Sequence, residues 1–454
     1  GGGPAGYPAA IRAAQLGAKV ALIEKELVGG TCLNWGCIPT KALLACSNLF
    51  WQTKNSSEKG ITIKEAEFNY KIVNERKNKI TSKLRDGIKH LLNANKVTLI
   101  PGTASFVSRN IIQIRNANKT DNIESVNTII ASGSISAMPS FIPKHEKILE
   151  SKGFLDLTSL PASLLILGGG VIGCEFACFA AQAGVKVTIV EMLEDIIFSL
   201  DPDVRKVLRT HMEKNLGIKI IAGTPLTNIT ATSTKIRGMA GNEELSADMM
   251  LVAIGRKPFA DELNINAAGL QTNEKGSIII DKFCRTTQPT IFAAGDVTAE
   301  STQLAHAATS QGICASENIL LQKRRSTETV IPACIFTSPE VASVGLTEKG
   351  AKEKGIHFTT GKFPFLALGK AMTIGETEGF VKWIADEETG RLLGAHAIGP
   401  HATELIAEAT LAIRAELTAE ELGRTIHCHP TISESWMEAA HCVHKHCIHL
   451  PPRK

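Results

Sequence analysis

GGGVIGCEFACFAAQAGVKVTIVE, residues 168–191, reads as a glycine turn, an alanine-rich helix, a glycine stop and a short strand ending in Glu191. The chain opens with the same order of parts, GGGPAGYPAAIRAAQLGAKVALIE, residues 1–24. Gly1, Gly3 and Gly6 align with Gly168, Gly170 and Gly173, and Glu24 aligns with Glu191. This is the dinucleotide-binding fingerprint, present twice. Its glycines allow a tight turn and let backbone approach a pyrophosphate, and the helix N-terminus offers that anion unpaired N–H groups. The carboxylate at the end of the following strand accepts hydrogen bonds from ribose hydroxyls. A single G-x-G-x-x-G is weak, since packing explains most glycine turns. Two copies with the acid in the same place are strong.

Ser163–Leu167 is an apolar run that supplies the strand before the second turn. The first copy starts on its turn, so a preceding strand segment of about ten residues is expected. Pro8 falls about one turn into the first helix, where an interior proline costs about 3 kcal/mol. Glu191 also bears on cofactor choice. A carboxylate there accepts a free 2′-hydroxyl and repels a 2′-phosphate, and Met192-Leu193-Glu194-Asp195 supply no arginine. NAD is expected rather than NADP.

Composition narrows the class. At 454 residues the chain is too long for one domain, and 44% hydrophobic with 21% charged residues is ordinary globular protein. Forty-nine basic against 45 acidic residues leave a net charge of +4, which asks for neither nucleic acid nor a membrane surface. No uncharged apolar stretch is long enough to span a bilayer. Eleven cysteines are too sparse for a disulfide scaffold, so a reducing compartment is expected, the cytoplasm or, in a eukaryote, the mitochondrial matrix. Lys77–Asn95 places Ile80, Leu84, Ile88, Leu91 and Leu92 at helical spacing and reads as a core-facing helix.

GGTCLNWGCIPTK, residues 29–41, follows the first fingerprint directly. Cys32 and Cys37 on a regular helix would be about 7.5 Å apart along the axis, too far for a comfortable disulfide. Gly36 and Pro39 suggest a distorted turn that closes the gap. Two unlinked buried thiols and a zinc site are the alternatives, although no second pair at finger-like spacing lies nearby. Beside a dinucleotide fold, the spacing suggests a redox disulfide next to a flavin.

With these residues the chain resembles the pyridine nucleotide–disulfide oxidoreductases, and within them the enzymes that reoxidise dihydrolipoamide. The resemblance runs through GGTCLNWGCIPTKALL (29–44), ILGGGVIGCEFA (166–177), LVAIGRKP (251–258), IFAAGDV (291–297), LAH (304–306), SPEVASVGL (338–346) and HCHPTISE (427–434). It implies an α/β fold: two Rossmann-like dinucleotide-binding domains plus a C-terminal α+β dimerisation domain. The implied partition is an FAD-binding domain at 1–137, an NAD-binding domain at 138–260, a central segment at 261–328 completing the FAD site, and an interface domain at 329–454.

The resemblance also assigns residues. Gly1, Gly3, Gly6, Glu24, Gly30, Thr31, Gly133, Asp296 and Ala305 would hold FAD. Gly168, Gly170, Gly173, Glu191 and Gly255 would hold NAD. Lys41 and Glu175 would pair beside the flavin, Cys37 would face the ring, and Cys32 would exchange with the dithiol substrate. A cation near a thiol lowers its pKa, and the thiolate is the reacting species. His429, just before Pro-Thr, would be the acid–base group, with Glu434 holding one ring nitrogen and His427 in support. This loop would reach the partner subunit's cysteine pair, so a homodimer is implied, serving lipoyl domains of 2-oxoacid dehydrogenase or glycine-cleavage complexes.

Other readings stay open at this point. A mercuric reductase shares the Cys-x4-Cys core but needs a C-terminal cysteine pair, and Cys442 and Cys447 are not adjacent. Glutathione-type reductases use NADP, against which Glu191 argues. A flavoprotein subunit that has lost turnover is the remaining alternative. Ser132 and Val171 depart mildly from the family pattern. His441, Cys442, His444, His446, Cys447 and His449 crowd the tail; a frayed, solvent-exposed end is expected there, with no resident metal.

Overall fold

The computed structural model describes residues 1–117, 119–299, 301–321 and 325–451. The repeat seen in sequence is carried into the backbone. In the second half, the strands Lys219–Ile221, Lys186–Val190, Ser163–Leu167, Met249–Val252 and Ile148–Leu149 form one sheet in that order, every pair parallel. Ser163–Leu167 is central and almost wholly buried, as its unbroken apolar run requires of a strand covered on both faces. In the first half, Ala21–Glu24 pairs in parallel with Thr98–Pro101, and Thr128–Ile130 with Ile291–Ala293. Each half then adds a three-stranded antiparallel meander, at 103–124 and at 226–247.

Helices α1 (Gly6–Gln15), α2 (Gly30–Trp35), α3 (Cys37–Lys54), α4 (Tyr70–Ala94), α5 (Ser151–Leu155), α6 (Val171–Gln182), α7 (Pro202–Lys214) and α8 (Ala305–Leu320) surround these sheets. The third glycine of each fingerprint is a packing requirement. A Cβ on Gly6 would lie 1.8 Å from the Gly1 carbonyl oxygen, and one on Gly173 would lie 2.0 Å from that of Gly168. Both helices therefore start directly against their own turn.

Residues 261–328 share a core with the first half: Phe106, Ile112 and Ile130 pack with Leu270, Ile278, Ile291 and Val297. The C-terminal part is a five-stranded antiparallel sheet, ordered Ala333–Ile335, Val341–Gly345, Leu392–Ile398, Phe380–Asp386, Phe358–Pro364. The helices Ala402–Arg414 and Glu434–Val443 pack on this sheet. Trp383 and Trp436 lock it, with ring centroids 4.6 Å apart and each indole N–H donating to a backbone carbonyl.

One expectation holds in detail and two need correction. Pro8 is the third residue of α1, and its neighbours Tyr7 and Ala9 donate to the carbonyls four residues back, those of Gly3 and Ala5, so the proline deletes the bond between them. The Pro4 carbonyl, which residue 8 would otherwise bond, accepts the Thr309 hydroxyl at 2.9 Å instead. Helix α4 does not turn its whole apolar stripe inward: Leu92, Thr81 and Lys77 are buried, whereas Leu84 and Leu91 are exposed. One flank of the stripe packs on α1, α2 and α3, and the other lies outside that contact.

The tail is not frayed either. Glu438, 5% exposed, accepts the Cys447 thiol at 3.3 Å and pairs with His449 Nδ1 at 2.7 Å. A buried carboxylate needs such partners, and Cys442, Cys447 and Leu450 pack on the C-terminal core as a result.

The C-terminal part is bolted to the second half by buried charge. Lys382, 2% exposed, lies 2.8 Å from fully buried Asp201, 2.7 Å from Glu348 and 3.3 Å from Asp203. Asp201 also caps α7 through the Asp203 N–H. Removing one partner of a buried pair strands the other, which costs about 3–5 kcal/mol. Lys382→Met is therefore expected to lower the chemical denaturation midpoint markedly at neutral pH, and a midpoint equal to that of the unaltered protein would refute this account.

Candidate active site

A single cavity of about 1280 Å³ runs between the two halves. Gly1, Gly3, Glu24, Gly30, Thr31, Gly133, Asp296 and Ala305 line it from the first half and the central segment. Gly168, Gly170, Glu191 and Gly255 line it from the second half, and Cys32, Cys37, Lys41 and Glu175 line it as well. Gly6 and Gly173 stand behind their turns, as packing residues. The two acids are presented identically. Glu24 accepts the Gly2 N–H at 2.5 Å and the Glu26 N–H at 2.8 Å; Glu191 accepts those of Gly169 at 2.6 Å and Leu193 at 2.7 Å.

Cys32 sits on α2 and Cys37 begins α3, with Gly36 between the helices at φ −147° and ψ −113°. That break turns the chain so that the two thiols hydrogen-bond each other, which a continuous helix would not allow. Both are free thiols here. The hydrogen bond from Cys32 lowers the Cys37 pKa; burial opposes this, and the Lys41 cation adds to the lowering, leaving Cys37 at about 7. The same hydrogen bond and burial push Cys32 upward. The pair is polarised, with Cys37 the more acidic of the two.

Lys41 is one turn further along α3. Its Nζ lies 2.8 and 2.9 Å from the two oxygens of Glu175 on α6, and the ring of Phe336 lies beneath it at 4.7 Å. Glu175, nearly buried, also accepts the Phe336 N–H at 2.9 Å.

Several residues without an expected role support this site. Arg256, from the quoted LVAIGRKP segment, donates to the Ser134 hydroxyl and carbonyl, both at 2.7 Å, and reaches Thr31 at 3.4 Å. Ser134 in turn donates to Asp296 at 2.6 Å, and Gln311 accepts the Gly295 N–H at 2.8 Å. Ser132 donates to the Phe259 carbonyl at 2.5 Å, a bond that any hydroxyl at this position can make. The only sequence signal for Arg256 was its place after Gly255.

The residues expected to act as the acid–base pair lie elsewhere in the chain. His429 Nδ1 is 2.9 Å from Glu434, which also accepts the Thr431 N–H at 2.8 Å. Burial pushes the Glu434 carboxyl up, but the Thr431 N–H and His429 outweigh it and hold the carboxyl below its usual range. Neither residue lines the cavity of its own chain, and the His429 side chain is 77% exposed. His427 pairs with Glu408 at 2.6 Å, which raises its pKa. Among the described residues, no three His, Cys, Asp or Glu side chains gather as metal ligands.

Comparison with known proteins now has a geometry to rest on. The family profile "Pyridine nucleotide-disulphide oxidoreductase" matches residues 1–312, and that family's dimerisation-domain profile matches residues 331–440. The chain is 40% identical over 457 residues to a dihydrolipoyl dehydrogenase of Chlamydia trachomatis, covering 100% of this chain and 98% of the relative. It is 39% identical over 462 residues to that of Geobacillus stearothermophilus, covering 99% and 96%. Among solved structures, the HOCl-induced flavoprotein disulfide reductase RclA of Escherichia coli superposes with a TM-score of 0.87 at 30% identity, covering 96% of this chain and 97% of that one. LpdA of Mycobacterium tuberculosis superposes at 0.90 with 26% identity, covering 97% of each.

The polarised thiol pair predicts its own titration. In the reduced protein, ultraviolet thiolate absorbance should rise by one thiolate per chain through a midpoint of about 7, the value of Cys37. Lys41→Met removes the cation and leaves Glu175 unpaired, so the midpoint should move up by about 1 pH unit. An unmoved midpoint would show that Lys41 does not set the thiolate.

Proposed function

The chain belongs to the pyridine nucleotide–disulphide oxidoreductase family, and on that premise we propose that it oxidises dihydrolipoamide to lipoamide with NAD as acceptor. The observation that carries this reading is the polarised Cys32–Cys37 pair inside a cavity that also receives both dinucleotide fingerprints. The residues fit a flavin dinucleotide together with a nicotinamide one. The cavity exceeds the roughly 300–1,000 Å³ common for one small ligand, and each end carries a glycine turn and a backbone-held glutamate. Gly1, Gly3, Glu24, Gly30, Thr31, Gly133, Asp296 and Ala305 hold FAD in this reading; Gly168, Gly170, Glu191 and Gly255 hold NAD. The partition at 137, 260 and 328 belongs to the same proposal.

In the oxidised protein Cys32 and Cys37 form the redox disulfide. A substrate thiolate attacks Cys32 Sγ and the S–S bond breaks toward Cys37, which leaves as the thiolate that the Lys41 cation favours. The second substrate thiol then attacks the substrate sulfur of the mixed disulfide and frees Cys32, so lipoamide departs two electrons poorer. His429 Nε2 takes the proton released, because Nδ1 is held by Glu434. Bound FAD would supply the two-electron redox chemistry that links the Cys37 thiolate to NAD. The Lys41–Glu175 pair keeps the cation beside that thiolate.

His429 is outside its own chain's cavity, so it serves the partner subunit's cysteine pair in a homodimer, as the dimerisation domain supports. The physiological substrates in this reading are lipoyl domains of 2-oxoacid dehydrogenase or glycine-cleavage complexes. Its setting in this reading is the cytoplasm, where a reducing environment suits a chain with no disulfide scaffold. Among the described residues no helix is long and apolar enough to cross a membrane.

Anaerobic dihydrolipoamide should reduce the FAD-loaded dimer by two electrons, and added NAD should then yield NADH; no NADH would overturn the reading. Cys32→Ser should abolish lipoyl turnover yet spare electron transfer from NADH to a dye.

His429→Gln should lower kcat by roughly 10²–10⁴-fold. Co-expressed Cys32→Ser and His429→Gln chains form mixed dimers with one intact site, so turnover should return to roughly half per dimer. Mixed dimers as inactive as either parent would refute the shared site.

A further inference from the structure

The two ends of the cavity carry the same fingerprint but are closed differently. Four lysine or arginine side chains line it among the described residues: Lys25, Lys41, Lys152 and Arg256. Lys41 and Arg256 are engaged with Glu175 and with Ser134, in the middle of the site. Lys25 and Lys152 both stand at the Glu24 end, and both keep more than a third of their side chain in solvent. Residues that line a cavity and also face solvent stand at its rim.

Each of these lysines makes the same double contact. Lys152 lies 4.0 Å from the ring centroid of Trp35 and 3.3 Å from Glu26. Lys25 lies 3.9 Å from the ring centroid of Phe259 and 3.4 Å from Glu262. All four partners line the cavity too. The contacts cross between segments distant in sequence: Lys152 on α5 reaches α2 and the loop after Glu24, and Lys25 reaches the segment after the Arg256–Pro258 strand. Lys25 and Glu26 are consecutive. The loop that presents Glu24 is therefore held from both sides, Lys25 tying it one way and Glu26 the other.

The Glu191 end has no counterpart. Val171, Met192 and Leu193 line it, all exposed and apolar, and none of the four lining cations lies beside it. One end is bridged by two cation–aromatic–carboxylate contacts, and the other stands open.

We propose that Lys25 and Lys152 form a paired clasp over the Glu24 end of the cavity that retains FAD, while the unclasped Glu191 end leaves NAD free to exchange. This inference rests on the FAD and NAD assignment made above. The clasp acts on release: the dinucleotide leaves only when both lysines let go of ring or carboxylate. Neither lysine touches the thiol pair, so both are positioning residues. Each exposed cation–π contact and ion pair is individually weak, so two together slow release rather than fix the cofactor outright.

The test uses the FAD-loaded homodimer of Lys25→Met/Lys152→Met, since methionine keeps the stem and removes the charge. Free FAD is measured in filtrates against time, at low and high salt, and NAD affinity is measured on the same protein. The double variant should release FAD roughly 3- to 10-fold faster at low salt, and each single variant should fall between. Salt should accelerate release from the unaltered protein, because screening weakens exposed ion pairs, and should do so much less in the double variant. NAD affinity should not change. FAD release at the unaltered rate would overturn the clasp while leaving the flavin assignment standing, and an equal loss of NAD affinity would mark a general loosening and overturn it as well. A protein that takes up no FAD would overturn the flavin assignment and the clasp with it.

Discussion

Three parts of the chain meet at one carboxylate. Glu175, on α6 in the second half, accepts Lys41 from α3 in the first half and the backbone N–H of Phe336 from the C-terminal part. With 5% of its side chain exposed, it is buried without an unpaired polar atom because these partners are present. The ion pair therefore does two things at once. It fixes where the halves sit, and it keeps a cation beside the Cys37 sulfur. The packing around it serves the same end: α3 and α6 share a core with Ile335, Val341, Phe380 and Ile398, and Ser47 donates to Gln182 across the same contact at 2.7 Å. Rigid mounting suits a thiolate whose reactivity depends on distances to a thiol and an ammonium group.

The molecule uses one solution twice. Both fingerprints hold their glutamate with two backbone N–H groups, one from the glycine turn and one just beyond the strand, so each carboxylate is oriented in advance of any ligand. The copies differ in what surrounds them. The first is enclosed by the central segment, whose helix α8 supplies Thr309 to the Pro4 carbonyl and Gln311 to the turn before Asp296. The second opens through Val171, Met192 and Leu193. Duplication gives two equivalent anion sites, and the later segments make them unequal.

What was legible in sequence is what is local. The glycine turns, Glu24 and Glu191 lie within single strand–turn–helix units, Cys32 and Cys37 are five residues apart, and His429 and Glu434 are again five apart. Their proximity follows from spacing once the break at Gly36 is granted, and their roles are what the resemblance of those segments implies. The relations that were not legible join residues with no shared period. Thr309 relieves Pro4 from the other end of the chain, Arg256 reaches back to Ser134 and Thr31, and Lys382 meets Asp201 across the two lobes. The tail failed for the same reason. His and Cys density suggested solvent exposure, but buried Glu438 needed partners, and the chain folds back to supply Cys447 and His449.

The chain divides its chemistry in a way that constrains the assembly. The Cys32–Cys37 pair is inside a cavity, while the His429–Glu434 pair stands on the surface. Glu434 orients His429 through Nδ1, and Nε2 has no hydrogen bond among the described residues. A buried indole lock at Trp383 and Trp436 holds the helix that begins at Glu434, so the loop does not swing inward to reach its own cysteines. Rigidity of that kind would be a defect in a monomer. In the two-fold dimer proposed above it would be the means of delivery, because symmetry would set a fixed outward group on each chain against a fixed inward group on the other, so that one contact surface completes both sites.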